Sequence, residues 1–127
     1  MQKWKVYYYT TAGKECDIGE YLDKLPEKNR QKVLAWITIL EEQGPTLPRP
    51  FADLLEDGIH ELRVKLSGKQ ERILYFFVFQ NYIILTHSFT KKSSAVPKSE
   101  IERAKKYRND FTKRFKTLND FEKQTMQ

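Results

Sequence analysis

The chain has 127 residues, a formal net charge of +6 and a single cysteine, Cys16. This length is typical of one domain that buries roughly two thirds of the surface of its unfolded chain, so we expect residues 1–127 to form a single domain. One cysteine excludes an internal disulfide, no apolar run reaches the roughly 18 residues of a membrane span, and the N-terminus lacks a secretory signal. We therefore expect a cytoplasmic protein that has no membrane partner.

The N-terminal part predicts a strand followed by two helices. The segment Trp4–Tyr9 is aromatic and β-branched, as is typical of a strand. A helical apolar stripe begins after Asp17, which we expect to be the N-cap. Pro26 ends this helix and begins a second one, which ends at Gly44. The first stripe consists of Ile18, Tyr21, Leu22 and Leu25, and the second of Val33, Ile37 and Leu40.

The rest of the chain predicts a long loop, three strands and a helix. Gly44–Gly58 holds three of the five prolines and is predicted to be a tethered loop. Strands at Gly58–Leu66, Glu71–Phe79 and Tyr82–Phe89 follow, joined by a four-residue and a two-residue turn, as an antiparallel meander. A helix begins at Pro97. Its apolar stripe fades beyond residue 115, so residues 115–127 are predicted to fray.

The predicted turns sort the side chains of the meander onto two faces. The four-residue turn places Lys65 opposite Arg72. The two-residue turn places Leu74 opposite His87. The face that we expect the helices to cover carries Leu62, Val64, Leu66, Ile73, Tyr75, Phe77, Phe79, Tyr82 and Ile84. The other face carries Arg63, Lys65, Arg72 and His87 over Leu74, Phe76 and Phe89, with Lys91 and Lys92 just beyond the strand end.

The cations on this second face need an explanation. Like charges close together on a sheet repel each other, so solvent or an anionic ligand is expected to compensate them. An anion that carries an aromatic base suits a cationic face with an apolar floor, which favours RNA. The alternative is a solvated outer face that only keeps the protein in solution. The Lys/Arg-rich C-terminal helix is weaker evidence, because such charge runs are usually solvated.

The residue types limit the chemistry that this face can perform. The sequence has no paired carboxylates at catalytic spacing, no zinc cluster, no Gly-rich phosphate loop and no serine triad signature, so we expect no metal and no cofactor. RNA cleavage needs none of these, because the 2′-hydroxyl of the substrate is an internal nucleophile. Arg63 and Arg72 are candidates for stabilising charge on the phosphate. Candidates for the proton transfers are His87, Lys65, Lys91 and Lys92, and their individual roles stay open.

The segments GIHELRVKL, ERILYFF, HSFTKK and PKSEIERAKKYRNDF, in that order, resemble the RelE/ParE toxin superfamily, and within it the HigB-like branch of type II toxin–antitoxin systems. The resemblance runs from residue 4 to about residue 111. It implies a RelE-like α+β fold, in which an N-terminal strand and a two-helix hairpin pack on a twisted antiparallel sheet with a C-terminal helix. It also implies ribosome-dependent cleavage of mRNA that leaves a 2′,3′-cyclic phosphate, and inhibition by a cognate helix-turn-helix antitoxin of the HigA type.

The resemblance assigns roles by position. It implies a catalytic set of Arg63, Lys65, Arg72, His87 and Lys91, and RNA binding by Lys92, Arg63 and Lys65. A tyrosine that RelE-type members use near the C-terminus has no match in Ser93–Val96, so the general base is unassigned.

Two other classes of function stay open. ParE-type toxins keep the fold but poison DNA gyrase, and they largely lack the cationic cluster, so the cations favour the nuclease. An RNA- or ribosome-binding domain without chemistry would use the same charge. A variant that loses cleavage but retains binding would distinguish the nuclease from the binding domain.

Overall fold

A computed structural model describes residues 4–125 of the chain. Along this part the elements are β1 (Lys5–Tyr8), α1 (Asp17–Lys24), α2 (Glu27–Gln43), a 3-10 turn (Gly44–Thr46), β2 (Ala52–Glu56), β3 (Ile59–Leu66), β4 (Lys69–Val78), β5 (Tyr82–Lys91), α3 (Lys98–Arg114) and α4 (Leu118–Thr125). None of these helices is long and apolar enough to cross a membrane.

The five strands form one sheet in the order β1-β5-β4-β3-β2. The predicted α+β fold, with a strand, a helical hairpin and a C-terminal helix, is confirmed. The sheet is mixed, however, because β1 runs parallel to β5 while the other neighbours are antiparallel. The loop predicted over Gly44–Gly58 also contains β2, which pairs with β3 through Ala52 and Leu62.

The helical hairpin forms as predicted, except for its first residue. The N-cap of α1 is Cys16 and not Asp17, because the sulfur of Cys16 accepts a hydrogen bond from the N–H of Gly19 at 3.4 Å. Pro26 caps the start of α2, and Gly44 ends it with a φ of 52°. A side chain at Gly44 would also clash with the indole of Trp4, so this position favours glycine twice over.

Helices cover both faces of the sheet, whereas the sequence predicted helices on one face only. The first face packs against α1 and α2 through Ile18, Leu22, Val33, Ile37, Leu40, Leu62, Val64, Leu66, Ile73, Tyr75, Ile83 and Leu85. The second face packs against α3 and α4 through Ile59, Leu74, Phe76, Tyr82, Ile84, Ala104, Phe111, Phe115 and Phe121. The sheet is therefore the middle layer between two apolar clusters.

The turn between β3 and β4 is tighter than predicted. It has two residues, Ser67 and Gly68, with φ angles of 51° and 81°. Such a turn needs positive φ at both positions, and serine gives little indication of this in a sequence. The predicted pairing of Lys65 with Arg72 is therefore wrong, and Arg63 faces Arg72 instead. Because the shift is two residues, every side chain keeps its predicted face.

The turn between β4 and β5 is one residue longer than predicted, since Val78 and not residue 79 pairs with Tyr82. A bulge at Thr86 in β5 then restores the predicted pairing of Leu74 with His87, which is confirmed. In the turn and in the part of β5 before the bulge, side chains lie on the face opposite to the predicted one, whereas those of β4 keep their predicted face. The residues that this corrects are Phe79, Tyr82 and Ile84, which pack with α3 and α4.

The C-terminal segment packs onto the second face. Phe121 of α4 is fully buried, and its ring centroid lies 5.3 Å from those of both Phe111 and Phe115. The prediction that residues 115–127 fray is wrong for α4, because these aromatic contacts anchor the helix. Residues 126–127 lie outside the described part of the chain.

Candidate nucleic-acid interface

Helix α3 covers only part of the second face and leaves one end of it open. Two cross-strand rows lie there, next to the β3–β4 turn: Arg63, Arg72 and Phe89 form one row, and Lys65, Gln70 and Lys91 form the other. We call these six residues the open end. Lys65 and Gln70 are exposed, Arg63, Phe89 and Lys91 are half-buried, and Arg72 is buried. The structure thus brings five predicted residues, the four cations with Phe89, onto one surface.

A carboxylate from within the chain compensates the two opposed arginines. Oε2 of Glu61 accepts from Nε of Arg63 at 3.0 Å, and Oε1 accepts from Nε of Arg72 at 3.0 Å. Asp53 adds a second partner for Arg63 at 3.3 Å. The expectation that solvent or an anionic ligand compensates this pair is therefore wrong. Glu61 is itself only 2 % exposed, so the three groups form a largely desolvated ion cluster.

Arg72 is buried and donates hydrogen bonds to several neighbouring residues. Beyond Glu61, it donates to the side-chain oxygen of Gln70 at 2.9 Å and to the carbonyl of Glu71 at 3.2 Å, and only 4 % of its surface is exposed. Its planar fork therefore fixes the position of its neighbours. Arg63, which exposes more of its side chain, is better placed to touch a ligand.

The lysines of this region have free ammonium groups. Among the ion pairs of residues 4–125, none involves Lys65, Lys69, Lys91 or Lys92. A shallow depression beside the open end is lined by Gly68, Lys69, Gln70, Thr90, Lys91 and Lys92. The exposed positive charge of this region is thus carried by lysines that have no counter-charge in the described part of the chain, which is the arrangement that attracts a polyanion.

The cations of α3 differ from these lysines. Arg103 pairs with Asp17 at 2.7 Å, Arg108 with Asp57 at 3.0 Å, and Arg114 with Asp110 at 2.9 Å. Lys105 pairs with Glu56 in the same way. The pairs of Arg103, Lys105 and Arg108 fasten the helix to the rest of the molecule, whereas Arg114 and Asp110 pair within α3, so much of the charge run is used internally.

His87 lies under α3 rather than on the open end. Its Nε2 is 3.0 Å from Oε1 of Glu100, its Nδ1 is 3.0 Å from the hydroxyl of Thr86, and its exposed fraction is 0 %. Burial, followed by the positive charge of Arg103, lowers the pKa of His87 from its usual value, while Glu100 and Asp17 act in the opposite direction. The structure therefore does not bring this predicted proton carrier to the surface that carries Lys65.

Sequence reasoning missed two features of this region. Glu61 was not assigned a role, although its spacing of two residues from Arg63 on a strand places both on one face. The cavity beside the open end also includes Trp36 and Phe51, which come from distant segments, so no local pattern could have grouped them.

The sequence profile of the family described as "Phage derived protein Gp49-like (DUF891)" matches residues 20–109. The chain belongs to this Gp49-like family. No curated protein matches the chain. The family is RelE-like and is associated with the toxins of toxin–antitoxin systems, which implies an antitoxin partner. The matched segment includes the whole open end and the first part of α3, whereas β1 and α4 lie outside it.

Proposed function

We propose that this Gp49-like protein is the toxin of a type II toxin–antitoxin system of the HigB-like branch, that it acts in the cytoplasm as a ribosome-dependent mRNA endoribonuclease, and that a helix-turn-helix antitoxin inhibits it. The observation that carries this proposal is the open end, where Lys65 and Lys91, which form no ion pair within residues 4–125, adjoin the arginines that Glu61 holds in place. An RNA phosphate would supply the missing negative charge.

The RNA itself would supply the nucleophile of the reaction. The 2′-oxygen forms a bond to phosphorus while the bond from phosphorus to the 5′-oxygen breaks, which leaves a 2′,3′-cyclic phosphate and a 5′-hydroxyl. One proton leaves the 2′-oxygen and one is added to the 5′-oxygen. Arg63 and Lys65 stabilise the negative charge that develops on the phosphorane oxygens. Lys91 and Lys92 bind phosphates further along the strand.

Arg72 acts mainly through its neighbours in this proposal. It shares Glu61 with Arg63 and holds the side chain of Gln70, so it positions the groups that touch RNA. The general base is left open, because α3 covers the imidazole of His87.

A non-catalytic RNA- or ribosome-binding domain is the second candidate. The observation that favours it is the burial of both Arg72 and His87. Lys65 and Lys91 remain at the open end and suit the binding of phosphates, but the histidine that was predicted to transfer protons is covered by α3. The two candidates predict the same affinity for RNA and differ only in cleavage.

Primer extension on a translated reporter mRNA, with and without ribosomes, tests the proposal. We expect new 5′ ends inside the reading frame only when ribosomes are present, and we expect Lys65→Ala to abolish them. Lys65 is a better target than Arg72, because truncating a buried, paired arginine destabilises the fold. Lys106→Ala is the matched control, since Lys106 is an exposed lysine of α3 outside the ion pairs.

Intact message would argue against the nuclease. If the wild-type protein still bound ribosomes, the non-catalytic domain would be favoured. If growth stopped while the message stayed intact and ribosome binding was absent, gyrase poisoning of the ParE type would be favoured instead.

A further inference from the structure

An aromatic pair borders the open end on the side of α2. The rings of Trp36 and Phe51 stack with centroids 5.0 Å apart and an interplanar angle of 27°. They line a cavity of about 420 Å³ together with Arg63 and Lys65. We propose that this pair is a stacking platform for one base of a single-stranded RNA whose phosphate binds Arg63 and Lys65. The proposal rests on the proposed function, in that RNA is the ligand.

The platform is accessible. Phe51 exposes 40 % of its surface, more than most large apolar side chains in residues 4–125, and Trp36 is half-buried. Trp36 packs against the core on one side, so its position does not depend on a ligand. An aromatic face that is supported from behind and open in front is the geometry on which bases stack, and stacking of this kind tolerates any base.

The backbone fixes the platform relative to the cations. The carbonyl of Phe51 accepts from the N–H of Arg63 at 2.9 Å, and the N–H of Phe51 donates to the carbonyl of Pro48 at 3.0 Å. On the other side, Nζ of Lys32, one helical turn before Trp36, donates to the carbonyl of Lys65 at 2.6 Å. Both rings are thus tied to β3, the strand that carries the phosphate-binding side chains.

The charge of the cavity selects an anion. Its lining residues are Lys32, Trp36, Pro50, Phe51, Arg63, Val64, Lys65, Gln70 and Arg72, and none of them is acidic. The carboxylates that bind Arg63 and Arg72 belong to Asp53 and Glu61, which do not line the cavity. A volume of about 420 Å³ is also within the usual range for a small-molecule or nucleotide site.

RNA fits this combination better than a protein segment does. A nucleotide presents a flat π-surface and an anionic phosphate a short distance apart, and single-stranded RNA is recognised mainly through unstacked bases. A peptide would need an aromatic and an acidic side chain in the same spacing, whereas every nucleotide carries both groups.

The test measures binding separately from cleavage. The probe is a short single-stranded RNA with 2′-O-methyl sugars, which cannot be cut because its nucleophile is blocked. We expect Phe51→Leu to weaken binding about 5- to 100-fold, since stacking is lost while the fold keeps an apolar side chain. The slope of log affinity against log salt should not change, because no charge is removed. Leu54→Ala is the matched control, since Leu54 is an exposed apolar residue of β2 that does not line the cavity.

A second probe does not depend on any variant. An abasic strand of the same length keeps every phosphate, and the wild-type protein should bind it more weakly by a factor similar to that of Phe51→Leu. Equal affinity of the wild type for both probes, or unchanged binding by Phe51→Leu, would overturn the platform and leave the aromatic pair as a contact for a protein partner. If the wild-type protein did not cleave mRNA but both differences in RNA affinity were observed, the proposed nuclease would be refuted and the platform would stand.

Discussion

The two ends of the second face of the sheet differ in whether their polar and charged side chains have partners. Under α3, the imidazole of His87 is buried between Glu100 and Thr86, and no buried side-chain nitrogen or oxygen in residues 4–125 lacks a partner. Beyond α3, the ammonium groups of Lys65 and Lys91 have no ion pair in the same part of the chain. Hydrogen bonds therefore pair the polar groups of the covered end, whereas positive charge is left available at the open end.

This difference shows why the number of cations in a segment is a poor guide to ligand binding. The Lys/Arg-rich helix α3 has a higher density of positive charge than β3, yet Arg103, Lys105 and Arg108 all pair with carboxylates of other elements. The sheet has fewer cations, but its lysines form no ion pair with any described residue. What indicates a ligand is the shortage of counter-charges, and that becomes visible only in three dimensions.

The largest expected effect is at the ion cluster that joins the two ends. Glu61→Gln should lower the free energy of unfolding by about 3–5 kcal/mol, because buried Arg72 then faces Arg63 and has no carboxylate partner within residues 4–125. Urea unfolding measures the change. Glu102→Gln is the control, since Glu102 forms an exposed pair with Lys105 within α3, and we expect a loss below about 0.5 kcal/mol. A loss below about 1 kcal/mol for Glu61→Gln would mean that solvent compensates the arginines after all.

The next effect concerns the covered end. The pKa of His87 is lowered in the folded protein, so below about pH 6.5 the unfolded chain takes up a proton that the folded chain does not. Stability should therefore be complete above about pH 6.5 and should decrease below it, by up to about 1.4 kcal/mol per pH unit until the folded pKa is reached.

Unfolding of the wild type and of His87→Gln as a function of pH checks this. The variant should show a weaker dependence on acid. His60→Gln must be measured alongside, because burial also lowers the pKa of His60. If His87→Gln lost stability on acidification as steeply as the wild type, His87 would not be the buried neutral group that we describe.

The smallest effect on stability is expected at the open end itself. Lys65→Ala and Lys91→Ala should each change the free energy of unfolding by less than about 0.5 kcal/mol, because neither side chain forms an ion pair within residues 4–125. Each should nevertheless lower the magnitude of the salt slope of RNA binding by about 0.7. Lys106→Ala should leave that slope unchanged. If all three variants had the same salt slope as the wild type, RNA would not bind at the open end. The contrast between the two ends would then have no consequence for function.

Local patterns predicted most of the fold. Helical spacing and the flanking Pro26 and Gly44 located α1 and α2 to within a few residues, because these signals depend only on nearby residues. The exact turns were not predictable, since Ser67 at positive φ and the bulge at Thr86 depend on how whole strands pair. For the same reason α4 was missed: its stability comes from packing of Phe121 against α3, a contact that the sequence of α4 does not reveal.

The cations of the candidate site were predictable, but their carboxylate partners and the neighbouring aromatic pair were not. Alternation along β3 placed Arg63 and Lys65 on one face correctly, because a shift of two residues in register preserves the face. The partnership of Glu61 with Arg72 required the true register, and the covering of His87 required the position of α3. Sequence alone therefore identified the basic residues without showing which of them are already neutralised.

The parallel pairing of β1 with β5 bears on how the protein is made. Lys5 in β1 pairs with Tyr82 in β5, so β1 leaves the ribosome long before the strand that it pairs with. Contacts between residues this far apart in sequence form late, and α3, which covers half of the second face, follows later still. The sheet of the nascent chain therefore remains incomplete until β5 has left the ribosome, and its second face remains uncovered until α3 has followed.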